Sequence, residues 1–381
     1  MCCIFGVSHG WSMKIETVRP RRLKTTLETI FREPAGAESM FRRAKVMRRG
    51  SVKRIKGALK KPWKLRIRRR RRVEMEQIDL WGVEKAREDL LLPSWACSDP
   101  EEERRLAAMK IMLVKDLKEL ESKTIYLQKN GRKQVKLVDA FPDVYSDFRL
   151  LRFLRKDKVQ DPVTAAVRYR EFLSWRERNN IDEIRAMIES NIFEPPPELA
   201  MVADYVPCEF QAKRSQDGVV PVLLKVGSWD TSSITQLVRS NDLSIETFLQ
   251  YWTYMFDSLH WHLYQESMRE KKMIFIDEVC DLSGMSLKQF SPSFISTILK
   301  PWMHLTQSNY PETAKRIVFL NPPKILSVVW KIVTPLTSPG TVAKVSFQSD
   351  FNGSGDDYLH HTYSSAERLS AQRSSSKDLT R

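Results

Sequence analysis

Three carboxylates, Asp277, Glu278 and Asp281, follow the apolar run Met273-Ile-Phe-Ile276. Acids gathered at the end of a parallel strand are equipment for general acid–base chemistry. No nucleophile or cofactor motif accompanies them: the sequence has no Gly-x-Gly-x-x-Gly, no Walker loop, no Gly-x-Ser-x-Gly elbow and no His-Glu-x-x-His. His260 and His262 stand two apart on a predicted helix and so face different directions, which makes them ordinary helix positions rather than metal ligands. The five cysteines, Cys2, Cys3, Cys97, Cys208 and Cys280, are scattered without metal-ligand spacing, and their number is odd. This pattern predicts a reducing compartment and no disulfide framework. The chain therefore reads as neither an enzyme nor a metalloprotein, and it needs no cofactor.

The other chemistry in plain view is charge. The chain of 381 residues carries 63 Lys and Arg against 47 Asp and Glu, a net +16. The excess is local, because residues 41–73 hold 17 basic residues and no acid, which leaves −1 for the remainder. Arg48, Arg49, Lys60, Lys61, Arg68, Arg69, Arg70, Arg71 and Arg72 belong to this arm, interleaved with Phe41, Trp63, Leu65 and Ile67. Such a segment binds an anionic lipid surface at about 1 kcal/mol per charge near it. Nuclear import, nucleic-acid binding or an organelle transit segment needs only the same charge. Arg48-Arg-Gly-Ser51-Val has the form of a basophilic kinase site, and a phosphate at Ser51 would reduce the local charge. Cys2-Cys3 after the initiator Met are simple thiols or, on the alternative reading, acylation sites.

The elements that must position any site begin after the arm. Residues 1–95 lack a sustained amphipathic period and read as a basic, largely disordered arm. Residues 100–190 read as a small helical subdomain. Its first helix starts at Pro100-Glu-Glu-Glu103 and carries Leu106, Met109, Ile111, Met112, Val114, Leu117 and Leu120 on a broad apolar stripe. A second helix is predicted from Asp147 to Lys156, and a third opens with Asp161 as N-cap and Pro162 at its first position. Glu194-Pro-Pro-Pro197 breaks the chain. Beyond it, Val219–Leu224, Met273–Ile276 and Ile317–Leu320 are short, wholly apolar runs, as expected of strands covered on both faces. Helical stretches over Ser244–Arg269 and Ser286–Ser308 separate them, which predicts βαβ crossovers and a mainly parallel sheet. A last strand is predicted at Val345–Gln348, and residues 352–381 read as a disordered tail. No run of 18 apolar residues is present and no signal-peptide pattern opens the chain, so membrane contact is expected to be peripheral. The fold class is α/β.

Several landmarks occur in a telling order: Asp147-Phe-Arg-Leu-Leu-Arg-Phe-Leu-Arg155, Asp217-Gly-Val-Val-Pro-Val222, Asp281-Leu-Ser-Gly284, Tyr310-Pro-Glu312, Asn321-Pro-Pro-Lys324 and Ser338-Pro-Gly-Thr-Val-Ala-Lys344. Together they resemble the CRAL-TRIO family, of the phosphatidylinositol transfer protein type, over roughly residues 103–351. The resemblance implies a lipid-binding domain over 197–351 with a mobile gate helix. The run 323–335 suits that gate, since it is apolar nearly all round and too short to span a bilayer. Ile325, Leu326, Val329, Trp330 and Val333 would form the lid. The resemblance also implies a headgroup site of Arg152, Arg155, Glu312, Thr341 and Lys344. Lys344 would neutralise a phosphodiester, Thr341 donate to it, and Glu312 accept from inositol hydroxyls or pair with Lys344.

Two departures accompany the resemblance. Ile276 and Glu278 stand where the family's transfer protein has hydroxyl residues for a choline lipid, and the family's closing Leu-Pro and Gly-Gly segment is not recognisable after Phe351. The implied function is extraction and exchange of phosphatidylinositol or a related phospholipid by a monomer that is cytoplasmic and peripherally membrane-associated. The alternative is a non-transferring module for another hydrophobe, such as a tocopherol, retinoid or sterol.

Overall fold

The computed structural model describes residues 80–364 apart from 91, 94, 128–132, 157–159, 189–191, 211–217, 350 and 352. All of these fall within the unit Ser51–Arg381. The arm residues Arg48, Arg49, Lys60, Lys61 and Arg68 to Arg72 lie outside the described residues, as do Cys2, Cys3 and Ser51.

The helical part begins earlier than the sequence pattern suggested. Helix α1 (Leu80–Glu88) packs Val83 against Ala107 and Ala108 of α2 (Pro100–Met112). Trp95 and Ala96 join the same subdomain's core, so the last part of the span assigned to the arm is folded. The long stripe after Pro100 is also interrupted. Helix α2 ends at Leu113, whose φ of −98° and ψ of 5° turn the chain into α3 (Val114–Ser122). The turn buries Leu113 and leaves Val114 exposed. A short antiparallel hairpin of β1 (Thr124–Leu127) and β2 (Lys133–Lys136) follows. Then come α4 (Asp147–Arg155), α5 (Pro162–Arg178) and α6 (Ile181–Met187). Asp161 caps α5 through the Val163 and Thr164 N–H groups, with Pro162 at the first position, where its missing N–H costs nothing.

The second part is a five-stranded sheet of order β3-β4-β5-β6-β7. Its strands are β3 (Cys208–Phe210), β4 (Val219–Leu224), β5 (Phe275–Asp281), β6 (Ala314–Leu320) and β7 (Val345–Gln348). Only the β3–β4 pair is antiparallel; β4 through β7 run parallel, with a register shift at Ile276/Asp277. The parallel strands are neighbours in sequence order, so right-handed crossovers place their connecting helices on one face. Those helices are α7 (Thr231–Ser240), α8 (Ile245–Glu270), α9 (Lys300–Asn309) and α10 (Leu326–Val333). Val220, Val222 and Leu224, with Ile276, Cys280 and Ile317, turn toward that helical core.

The opposite face buries Val219, Leu223, Val279, Val318 and Leu320 beneath Leu359 and Tyr363. These two residues come from α11 (Gly355–Leu359) and the helical turn His360–Ser364. The reading of everything after Phe351 as a tail is therefore corrected for this stretch. Gly355 N–H donates to Asp281 Oδ2 at 2.8 Å, and the backbone approaches so closely that a Cβ on Gly355 would lie 2.5 Å from Leu223.

Among the described residues, four fully buried arginines lie between or within the two parts. Arg176 of α5 reaches Asp257 of α8 at 3.0 Å, and Tyr310 donates to the same Asp257 at 2.9 Å. Arg185 of α6 pairs with Asp143 at 2.7 Å while packing between the Phe141 and Trp261 rings. Arg149 packs on Phe172 and Tyr310, and Arg152 is taken up below. Buried charges require such partners, since an unpaired one is costly.

Candidate functional site

Two adjoining chambers lie between the helical face of the sheet and α8, α9 and α10. The first, about 170 Å³, is lined by Val222, Leu224, Trp252, Phe256, Ile276 and Tyr310, and at one end by Lys156, Gln307, Glu312, Ser338, Thr341 and Lys344. The second, about 160 Å³, is lined by Val226, Trp229, Cys280, Leu282, Met285, Phe290, Phe294 and Phe319, with α10 above them. Six residues border both: Leu224, Glu278, Trp302, Met303, Ile317 and Thr341. The first chamber thus has a polar end, and the second is almost wholly apolar. This is how an amphiphile would divide along its length.

The polar end is built by two turns. Asn309 ends α9, and the chain passes through Tyr310-Pro-Glu312 into β6. Glu312 has φ 49°, left-handed and uncommon for a side-chain-bearing residue. Arg152 holds it there: one guanidinium nitrogen donates to the Glu312 carbonyl at 2.6 Å and another to the Ile274 carbonyl at 2.8 Å. Lys344 sits just before β7 and pairs with Glu312 Oε2 at 2.9 Å, also donating to the Ala314 carbonyl at 2.8 Å. Thr341 exchanges a hydrogen bond with the Ser338 hydroxyl at 2.9 Å. Gln307 ties this turn to the end of the gate, donating to Leu336 O at 2.7 Å and accepting from Ser338 N–H at 2.8 Å.

Of the five expected headgroup residues, Glu312, Thr341 and Lys344 come together in the first chamber. Arg152 stands behind the site and acts on it through the Glu312 backbone. Burial, then the nearby Arg149 and Arg155, lower its pKa to about 9, so it stays charged at neutral pH. Arg155 is not at the site: it donates to Glu102 at 2.7 and 2.8 Å and to the Ala96 carbonyl at 2.8 Å, on the far side of α4. The cation that α4 does send to the chamber is the next residue, Lys156, which donates to the Gln307 carbonyl. Its signal was a third basic residue closing the same Leu-Arg-Phe-Leu-Arg run.

The gate residues Leu326, Val329, Trp330 and Val333 line the second chamber, and Ile325 packs against the core at the start of α10. Trp330 meets Phe319 and Phe347 edge-on, each at 5.7 Å.

The three acids near β5 are split by the sheet. Asp277 turns to the tail-covered face, where Arg316 and Tyr363 donate to it. Asp281 accepts from Asn321, Ser283 and Gly355. Glu278 alone turns into the cavity. His260 is buried in α8 and shares a hydrogen bond with Thr313 at 2.9 Å. Burial, then Arg149, Arg152 and Arg176, push its pKa down. Among the described residues no group of three His, Cys, Asp or Glu is arranged to hold a metal ion, and no helix is long and apolar enough to cross a membrane.

A roofed apolar cavity with one charged end suits an amphiphile, its polar group beside Lys344 and its hydrocarbon under α10. Residues 208–364 match the family model of the CRAL/TRIO domain, so the match takes in α11 and the turn after it. The chain is similar to "Protein real-time" of Aedes aegypti, 24% identical over 220 residues covering 55% of this chain and 30% of that protein. It is similar to "Protein real-time" of Anopheles gambiae, 26% identical over 221 residues, 55% of this chain and 28% of the other. "Phosphatidylinositol/phosphatidylcholine transfer protein SFH7" of Arabidopsis thaliana is 24% identical over 225 residues, 58% of this chain and 38% of that one. The chain thus spans less than two-fifths of the length of these curated relatives. The solved structure titled "Crystal structure of Sfh5" is similar with a TM-score of 0.46 and 18% identity, over 67% of this chain and 82% of that one. Residues 208–364 thus form a domain of the CRAL-TRIO family. Domains of this family bind hydrophobic lipid ligands and are generally not enzymes.

Proposed function

We propose that this protein extracts and exchanges phosphatidylinositol or a closely related phospholipid between membranes. The observation that carries the reading is the meeting of Lys344, Glu312 and Thr341 at one end of a cavity whose other chamber is apolar. A phosphodiester entering that end takes over Lys344 from Glu312, and the freed carboxylate accepts from the inositol hydroxyls. The acyl chains lie under α10, where each buried CH2 contributes about 0.8 kcal/mol. Loading requires α10 to swing aside, with the Gln307 contacts to Leu336 and Ser338 as the hinge end that stays fixed. We place this cycle on the cytoplasmic side of a membrane to which a monomer binds peripherally, with the basic arm as its anchor. No cofactor enters it.

The test is mass spectrometry of lipids retained by the purified 381-residue chain and its Lys344→Ala variant. A charge-assisted hydrogen bond contributes about 1.5–3 kcal/mol, so the variant should hold roughly 10- to 100-fold less phosphatidylinositol while keeping the parent's circular dichroism spectrum. Equal loading refutes the headgroup assignment. A tocopherol, retinoid or sterol in both proteins would establish the alternative of a non-transferring module.

A further inference from the structure

Glu278 is an unusual lining residue for an apolar cavity. It lies on β5 between Ile276 and Cys280, opposite Val222 of β4 and Ile317 of β6, and borders both chambers. It is deep below the protein surface, yet part of its side chain stays accessible because that part faces the cavity. Among the described residues it has no cationic partner; the Cys280 thiol contacts its Oε1 at 3.6 Å. Thiols are weak donors. Burial raises the Glu278 pKa, since an unpaired carboxylate in apolar surroundings is costly. The neutral form has an O–H to donate, and among the described residues no hydrogen bond joins Glu278 to any group but the Cys280 thiol.

Its position names the acceptor. With the phosphate at Lys344 and the hydrocarbon under α10, the boundary between the chambers is where the glycerol esters of a two-chain lipid fall. We propose that the Glu278 carboxyl donates a hydrogen bond to an acyl-ester carbonyl oxygen of the bound lipid, fixing its depth and selecting ester-linked over ether-linked lipids. The orientation rests on the headgroup reading above. The same residue disfavours an apolar ligand at this level, because a hydrocarbon there leaves a buried donor unsatisfied.

The experiment loads the 381-residue chain from vesicles doped with diester phosphatidylinositol or its diether analogue, read by native mass spectrometry. The wild type should favour the diester by about tenfold, the worth of one neutral hydrogen bond. Glu278→Leu should take up both equally, and Glu278→Gln, whose amide still donates, should keep most of the preference. A merely structural role would lower both probes together and leave the ratio unmoved. A wild type without preference, or a Glu278→Leu variant that keeps it, overturns the proposal. If neither inositol lipid loads, the headgroup reading fails, and the comparison is made between a long-chain methyl ester and the ether of equal length. A preference present in wild type and lost in Glu278→Leu then still supports the Glu278 assignment, and its absence overturns it.

Discussion

Glu102 is almost wholly buried, and it remains charged there because Arg155 donates to both of its oxygens while Ser98 N–H adds a third bond at 2.7 Å. Burial pushes its pKa up, but the Arg155 and Ser98 bonds outweigh burial and the net shift is downward. A carboxylate lowered in the folded state stabilises at pH above its unfolded value, and that contribution is lost as pH falls through the folded one. Removing Arg155 strands the charge. Arg155→Ala is therefore expected to cost about 3–5 kcal/mol in urea unfolding, with lipid loading of the folded fraction unchanged. Loss of loading at unaltered stability would return Arg155 to the headgroup site. The Leu-Leu-Arg-Phe-Leu-Arg run could not separate the two roles in advance. Arg152 and Arg155 are neighbours on one helix, and only the packing of β5 and β6 on one side and α2 on the other sends their guanidinium groups apart. Glu312, Thr341 and Lys344 were named together by the resemblance alone, and they meet in the first chamber, whereas the isolation of Glu278 from Asp277 and Asp281 follows from strand alternation that three consecutive-looking acids conceal.

At the scale of elements, the apolar runs at 219–224 and 317–320 and the short stretch 345–348 were enough to place three strands, and the long pattern after Ser244 became α8 almost to the residue. What they could not give was the cover for the second face of the sheet. Helix α11 is five residues long, too short for a period, and its start signal is a capping box with Asp357 in place of the usual Glu or Gln. Yet Leu359 and Tyr363 close the core over Leu223 and Val279, and fully burying two such side chains is worth roughly 1.5–3 kcal/mol each. Truncation after Phe351 should accordingly lower the thermal midpoint and expose the sheet to a hydrophobic dye; an unchanged midpoint would make α11 dispensable. Asp281 is the link. Burial raises its pKa, but bonds from Asn321, Ser283 and Gly355 prevail and hold it below the ordinary value. Its contribution is present above that value and fades as pH falls through the lowered one. Asp281→Ala should cost about 1–3 kcal/mol through the unpaired Gly355 N–H and Asn321 amide, and the acid unfolding limb of the variant should be flatter than the parent's.

For the whole molecule, the partition of charge bears on the membrane binding proposed above. Residues 41–73 hold 17 positive charges and the rest of the chain sums to −1, so long-range attraction to an anionic surface comes from the arm. The cavity side adds little reach: Val328 and Phe347 are the exposed apolar groups on α10 and β7, and an apolar contact acts only after arrival. In the proposed cycle, binding at a surface and opening of α10 are thus separable steps, the first electrostatic and the second apolar. Deleting 41–73 is expected to slow lipid exchange between vesicles containing anionic lipid by more than tenfold at low salt, with the gap narrowing as salt screens the surface. The lipid bound at equilibrium should be the same in both proteins, because the cavity is untouched. Exchange indifferent to the deletion would remove the arm from the mechanism. If the deletion instead abolished binding to duplex DNA while exchange persisted, the arm would be a nucleic-acid contact carried on a lipid-binding domain, and the salt slope of that binding would count the phosphates it engages.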